Sequence, residues 1–200
     1  MKILLLGPER PALEAIVLSL GDQVLRTEER LEVSSPILDD VDFLVSYGYR
    51  HILGEEVIAR FPERAINLHI SYLPWNRGAD PNLWSFLEDT PKGVTIHQLA
   101  RGLDTGHILA QELVAFQDSD TLRSSYERLC HAMEDLFFRT WPQIRLGEVT
   151  PYPQSPGGSY HRLKDRLAFE PYLTQGWDTP VSQLIGLALT QEKDSSPCAR

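Results

Sequence analysis

A chain of 200 residues, 42% of them hydrophobic, is long enough to bury one sizeable core, so the first expectation is one catalytic domain carrying an appendage and not two full domains. A formal charge of −9 argues against a broad polyphosphate-binding surface, because such surfaces are basic, and any anionic partner must therefore bind locally. The two cysteines, Cys130 and Cys198, stand far apart, which suggests neither a disulfide framework nor a metal cluster and fits a reducing cytoplasm.

The opening MKILLLGPERPALEAIVLSLGDQ is broken by Gly7, Pro8 and Pro11, unlike a signal-peptide core, and no apolar run reaches the roughly 18 residues of a membrane span. KILLL at 2–6, closed by Gly7-Pro8, has the form of a buried parallel strand. ALEAIVLSL at 12–20 has helical spacing and stops at Gly21-Asp22, and QVLRTEE supplies a second, more exposed strand. The turn GPERPA lacks the glycines of a dinucleotide fingerprint and the lysine of a phosphate-binding P-loop.

FLVSYGY, ending at Gly48, predicts the next strand, EEVIARF at 55–61 a helix, and RAINLH at 64–69 another strand. Side chains two apart on a strand share a face, so Asn67 and His69 stand together at its carboxyl end, where open α/β sheets keep their ligands. From Ser71 to Asn82 the composition turns to Pro, Asn, Gly and Asp, which predicts a long exposed loop. GVTIHQL at 93–99 and GHILAQELVAF at 106–116 read as two strands, with Asp104 at the tip of the ARGLDT loop between them. Asp120 or Thr121 caps a helix that runs to about Arg145.

After Gly147 the composition changes to VTPYPQSPGGSY, which cannot continue the helix. The division expected is a catalytic domain at 1–147, a packed appendage at 148–190 and a frayed tail at 191–200. The appendage is expected to hold a short helix around RLKDRLAFE and a last helix at VSQLIGLAL. The sequence contains neither an internal repeat nor a heptad array.

Asn67 and His69 from one strand end and Asp104 from a loop between two later strands thus converge. Taken singly each has an ordinary role, in a turn, a core or a loop cap, but their combination across NLHISYLPWNRG and GVTIHQLARGLDTGHI resembles the folate-dependent formyltransferases. That family includes glycinamide ribonucleotide transformylase, methionyl-tRNA formyltransferase and sugar N-formyltransferases. Its order is an Asn-x-His strand end, a Leu-Pro-x-x-Arg-Gly loop and a Gly-Val-Thr-x-His…Asp-Thr-Gly segment. Two departures are Ile70, where many relatives have Pro, and His107, where an acidic residue is common. The resemblance implies a Rossmann-like α/β fold, an open, twisted, mostly parallel sheet flanked by helices, with a short C-terminal helical appendage.

It also implies a reaction. An amine attacks a formyl carbon, giving a tetrahedral centre with a negative oxygen and a positive nitrogen. Asn67 would donate to the oxyanion, His69 would bond the same oxygen or shuttle the amine proton, and Asp104 would orient His69, stabilise its charged form and receive the excess proton. His97 reads as structural. The donor implied is N10-formyltetrahydrofolate, its pteridine lying along the backbone of 46–52 and 99–104, with Tyr49, Arg50, Ile52, Leu99 and Gly102 as contacts and no metal.

For the amine acceptor the residues offered are Trp75, Asn76, Arg77, Asp80 and Asn82, with Arg77 on phosphate and Trp75 stacked on a base or sugar. The same loop read as self-packed would pair Arg77 with Asp80 and send Trp84 into the core. GGSYHRLKD adds Tyr160, His161 and Arg162 in a locally basic patch and resembles the tails of short sugar-type formyltransferases attributed to pseudaminic acid pathways. The function expected is formylation of a UDP- or dTDP-linked dideoxy amino sugar, with no nucleic acid and no membrane as partner; no oligomeric state is assigned. A formyltetrahydrofolate hydrolase, a glycinamide ribonucleotide formyltransferase and a noncatalytic folate- or nucleotide-binding protein are the alternatives.

Overall fold

The computed structural model describes residues 1–194; the expectations for the rest of the tail and for Cys198 lie outside the described residues. The chain forms β1 (Lys2–Leu6), α1 (Pro11–Ser19), β2 (Gln23–Thr27), β3 (Phe43–Ser46), α2 (Glu55–Ala59), β4 (Ala65–His69), β5 (Arg77–Gly78) and α3 (Pro81–Leu87). It continues with β6 (Gly93–Gln98), β7 (Ile108–Leu113), α4 (Leu122–Ile144), β8 (Tyr160–His161) and α5 (Leu187–Asp194), with short 3₁₀ segments between.

Six strands make one sheet in the order β2-β1-β3-β4-β6-β7, and β5 pairs with β8 in a separate two-stranded ribbon. The first four strands are parallel, and β6 and β7 are added antiparallel. Central strands are covered on both faces, which explains their continuous apolar runs. Ile3, Leu5, Phe43, Val45, Ile66 and Leu68 face α1 and α4, while Leu4, Leu6, Leu44 and Ala65 face Val57 and Phe61 on the other side.

Helix α4 starts at a capping box in which Thr121 and Ser124 each accept from the other's backbone N–H. Near its other end Arg145 makes two bonds, 2.6 and 2.7 Å, to the buried carboxylate of Asp22, which the Met1 ammonium also reaches at 2.6 Å. This cluster fixes the helix end against the start of the sheet.

The segment beyond residue 147 is packed like core. Phe169, Val181 and Leu184 lie with Leu83, Trp84, Phe86, Leu87 and Leu122 in one apolar cluster, and each such buried side chain contributes about 1.5–3 kcal/mol. Two expectations are corrected here. The final helix begins at Leu187 and runs to Asp194, not across VSQLIGLAL, because Gly186 adopts φ +74 and interrupts it. It therefore extends four residues into the segment expected to be frayed. The loop from Ser71 to Asn82 is not exposed: every residue in it is buried or half-buried, it contains a cis Leu73-Pro74 bond, and β5 and the start of α3 lie within it.

Candidate active site

The carboxyl end of β4 presents Asn67 and His69 on one face, as the two-residue spacing predicts. The antiparallel partner β6 sets His97 directly opposite Asn67. The β6–β7 loop then brings back Asp104, whose backbone sits at φ +53, a left-handed conformation that Asp tolerates better than most residues. Asn67 Nδ2 donates to Asp104 Oδ1 at 3.1 Å, and the Gly78 N–H of β5 donates to Oδ2 at 2.8 Å. The four polar groups Asn67, His69, His97 and Asp104 therefore form one cluster.

The proton positions on the rings follow from their partners, since a carbonyl only accepts. His69 Nε2 faces the Asn76 carbonyl at 3.0 Å and must carry hydrogen, leaving Nδ1 turned toward Asp104 Oδ2, 3.7 Å away. His97 Nδ1 donates to the Gln98 carbonyl at 2.8 Å, so its Nε2 offers a lone pair to Asn67 Nδ2 at 3.3 Å. Burial pushes the His69 imidazole below its ordinary value, with Asp104 opposing and His97 adding to the shift. Burial also disfavours the charge on Asp104, but His69, His97 and the Gly78 N–H outweigh it and hold the carboxyl well below the usual carboxylate range. At neutral pH the site thus holds a carboxylate beside a neutral imidazole.

These groups form part of the wall of a cleft of about 450 Å³. The cleft runs along 46–53 and 99–104, and Arg10, Arg50, Arg101 and Arg162 also line it. An acidic chain has therefore gathered four guanidinium groups around one opening. Among the described residues no group of three or more His, Cys, Asp or Glu side chains is placed to hold a metal ion.

A family model described as formyl transferase matches residues 26–140. The chain is 57% identical to the formyltransferase PseJ from Anoxybacillus kamchatkensis, over 94% of this chain and 100% of that one, with a TM-score of 0.92. The chain belongs to the formyl transferase family. That PseJ structure contains UDP-4,6-dideoxy-4-formamido-L-AltNAc and tetrahydrofolate. The fold is shared more widely: an N-formyltransferase from Helicobacter canadensis in complex with folinic acid and dTDP-3-aminofucose matches at 18% identity and TM-score 0.73, over 96% of this chain and 82% of that one. Methionyl-tRNA formyltransferase from Clostridium thermocellum matches at 14% identity and TM-score 0.64, over 81% and 72%.

In this formyltransferase Tyr49, Arg50, Ile52, Leu99 and Gly102 all line the cleft, as do Tyr160 and Arg162. The Tyr49 hydroxyl is occupied in the scaffold, donating to the Glu29 carbonyl and accepting from the Leu31 N–H. Four of the residues offered for the acceptor lie off the cleft wall. Asn76 is fully buried and donates through Nδ2 to Thr90 Oγ1, so it shapes the loop from inside. Asn82 is buried and bonds the Leu122 carbonyl and Ser125, joining α3 to α4. Arg77 points both Nε and Nη2 at Gln154 Oε1, not at the cleft. His161 is buried, stacked on Trp84 with ring centres 3.7 Å apart, and its Nε2 lies 3.2 Å from Glu88 Oε1.

Asp80 pairs with Arg166 at 3.4 Å, so its partner is not Arg77. Trp84 is in the core, as the self-packed reading has it. Trp75 is half-buried beside the loop and off the cleft wall. His107 is exposed, and its carbonyl accepts from the Gln98 N–H. Sequence reasoning placed His97 outside the chemistry and passed over Arg10. A signal for Arg10 was present: the turn after the first parallel strand lies at the sheet edge where ligands bind.

Proposed function

We propose that this enzyme transfers the formyl group of N10-formyltetrahydrofolate to the amino group of a nucleotide-linked dideoxy amino sugar. The observation that carries the reading is the 57% identity, over the whole of that chain, to a formyltransferase crystallised with a formamido sugar nucleotide and tetrahydrofolate. It favours a UDP-linked sugar over the dTDP-linked alternative. The site suits the donor: Tyr49, Arg50, Ile52, Leu99 and Gly102 line the same cleft as the polar cluster. Tyr160 and Arg162 on the same cleft wall are the residues offered to the acceptor. In this reading residues 1–147 are the catalytic body and 148–190 a packed appendage.

The amine nitrogen attacks the formyl carbon, and the carbonyl electron pair moves onto oxygen. An Asn67 N–H, the one now aimed at His97 Nε2, takes over stabilisation of that oxygen. His69 Nδ1 accepts the amine proton and returns it to the departing nitrogen of the donor as the tetrahedral centre collapses. Asp104 remains a carboxylate and stabilises the imidazolium, a narrower role than the one expected from the sequence. A reducing, cytoplasmic setting fits the buried free thiol of Cys130.

The test supplies formylfolate together with UDP- and dTDP-linked amino sugars, and initiator methionyl-tRNA in parallel, and identifies products by mass. A formylated UDP-sugar without formylated tRNA is expected. Efficient tRNA formylation with no sugar product would overturn the acceptor while leaving the family assignment standing.

A further inference from the structure

Gln154 lies between two fixed points. On one side Tyr152 exchanges backbone hydrogen bonds with Ile108 at the start of β7, at 2.8 and 3.0 Å. On the other, the Ser159 carbonyl accepts from the Arg77 N–H at 3.0 Å, and Ser159 Oγ bonds both the backbone and side chain of Asn76. Between them the Gln154 amide is saturated. Nε2 donates to the Asp104 carbonyl at 2.7 Å and to the Gly106 carbonyl at 2.9 Å, while Oε1 accepts from Arg77 Nε and Nη2 at 3.2 and 2.8 Å.

These bonds close a ring around Asp104. Gln154 donates to the Asp104 carbonyl and, through its amide oxygen, holds the Arg77 guanidinium. Gly78, the residue after Arg77, donates to the front of the Asp104 carboxylate. A non-glycine residue at positive φ persists only where its surroundings hold it there. Nothing in the polar cluster itself touches the Asp104 backbone carbonyl; Gln154 does.

We propose that Gln154 is a positioning residue for formyl transfer, which holds the Asp104 peptide in its left-handed conformation and ties it to the β5 strand that donates to its carboxylate. The inference rests on the reading of Asp104 as part of the catalytic cluster. It makes the segment beyond residue 147 a working part of the active site, although Gln154 does not line the cleft.

Two variants separate this role from simple support of Arg77. Q154A removes every bond, whereas Q154E keeps an acceptor for the Arg77 guanidinium but sets a carboxylate against two carbonyl oxygens that need donors. Both should lose kcat by about 10- to 100-fold, the scale of a small misplacement of a catalytic group, with KM for either substrate changed much less. The acid limb of the pH profile should move to lower pH in Q154A, where no new charge is added. Among the described residues His69 faces Asp104 and His97 as charged or titratable groups, and Asp104 is the one that raises its affinity for a proton.

D104N is measured alongside as the reference. If D104N is inactive, both Gln154 variants lose kcat and Q154A shows the shifted limb, the inference holds. If D104N is inactive but Q154E keeps the wild-type kcat and pH profile, the inference fails and the reading of Asp104 stands. If D104N is active, that reading fails and takes the inference with it. Assays run well below each variant's unfolding midpoint, so that Q154E decides the matter even where Q154A loses stability.

Discussion

His69 keeps its two ring nitrogens in different company, one bonded to the Asn76 carbonyl and one facing a carboxylate, and this asymmetry is what fits it to carry a proton. His69→Ala should lower kcat by about 10²- to 10⁴-fold with little change in thermal midpoint. Because burial lowers its proton affinity, the acid limb of wild-type kcat/KM should fall below pH ~6.5, the ordinary histidine value. A limb above that value would contradict the environment described. At this scale the sequence was informative where geometry depends on the strand period: Asn67 and His69 had to share a face. It read His97 as structural, because an imidazole one strand away becomes part of the cluster only through the β4–β6 register. It could not foresee the interior bonds of Arg77, Asn76 and His161, whose types suit sugar and phosphate as well as they suit those bonds.

The elements differ in how local their causes are. Helix α4 was readable from end to end because its cap and its apolar stripe are written in consecutive residues. The 71–82 loop was not, since its burial comes from a segment some eighty positions later. Gly158 shows how close that approach is: a Cβ there would lie 2.0 Å from the Pro74 carbonyl oxygen, whereas one at Gly157 would meet nothing within 4 Å. Both have positive φ, so Gly157→Ala should cost only the left-handed penalty of about 1–2 kcal/mol. Gly158→Ala should cost more and lower activity as well, read by urea unfolding and by turnover. At the other end of α4, Arg145→Ala should destabilise by less than the ~3–5 kcal/mol of an orphaned buried charge, because the Met1 ammonium still reaches Asp22. A denaturation midpoint unchanged from wild type would show that this cluster does not anchor the helix.

For the molecule as a whole, the buried ionisable groups predict how stability follows pH. Asp22, Asp104 and Asp120 all have carboxyls held below their ordinary range, and His69 is held below its own. In each case the unfolded chain binds protons more readily than the fold, so stability rises with pH across the interval between the two values. The urea midpoint should begin to fall as pH drops below about 6.5, through His69, and fall more steeply below about 4 as the three carboxyls contribute. A midpoint flat from pH 7 to 4 would count against the buried neutral imidazole.

The parallel pairing of Arg77–Gly78 with Tyr160–His161 joins positions 83 residues apart in the chain. Synthesis proceeds from the amino end, so Asn67, His69, His97 and Asp104 all leave the ribosome well before the residues that clamp them. A nascent chain stalled within α4 would carry all four side chains of the polar cluster and still lack β8 and Gln154. Its chemistry should therefore switch on late, when the last quarter of the polypeptide docks. Turnover measured on ribosome-arrested chains of increasing length should rise in one step beyond His161, not gradually after Asp104.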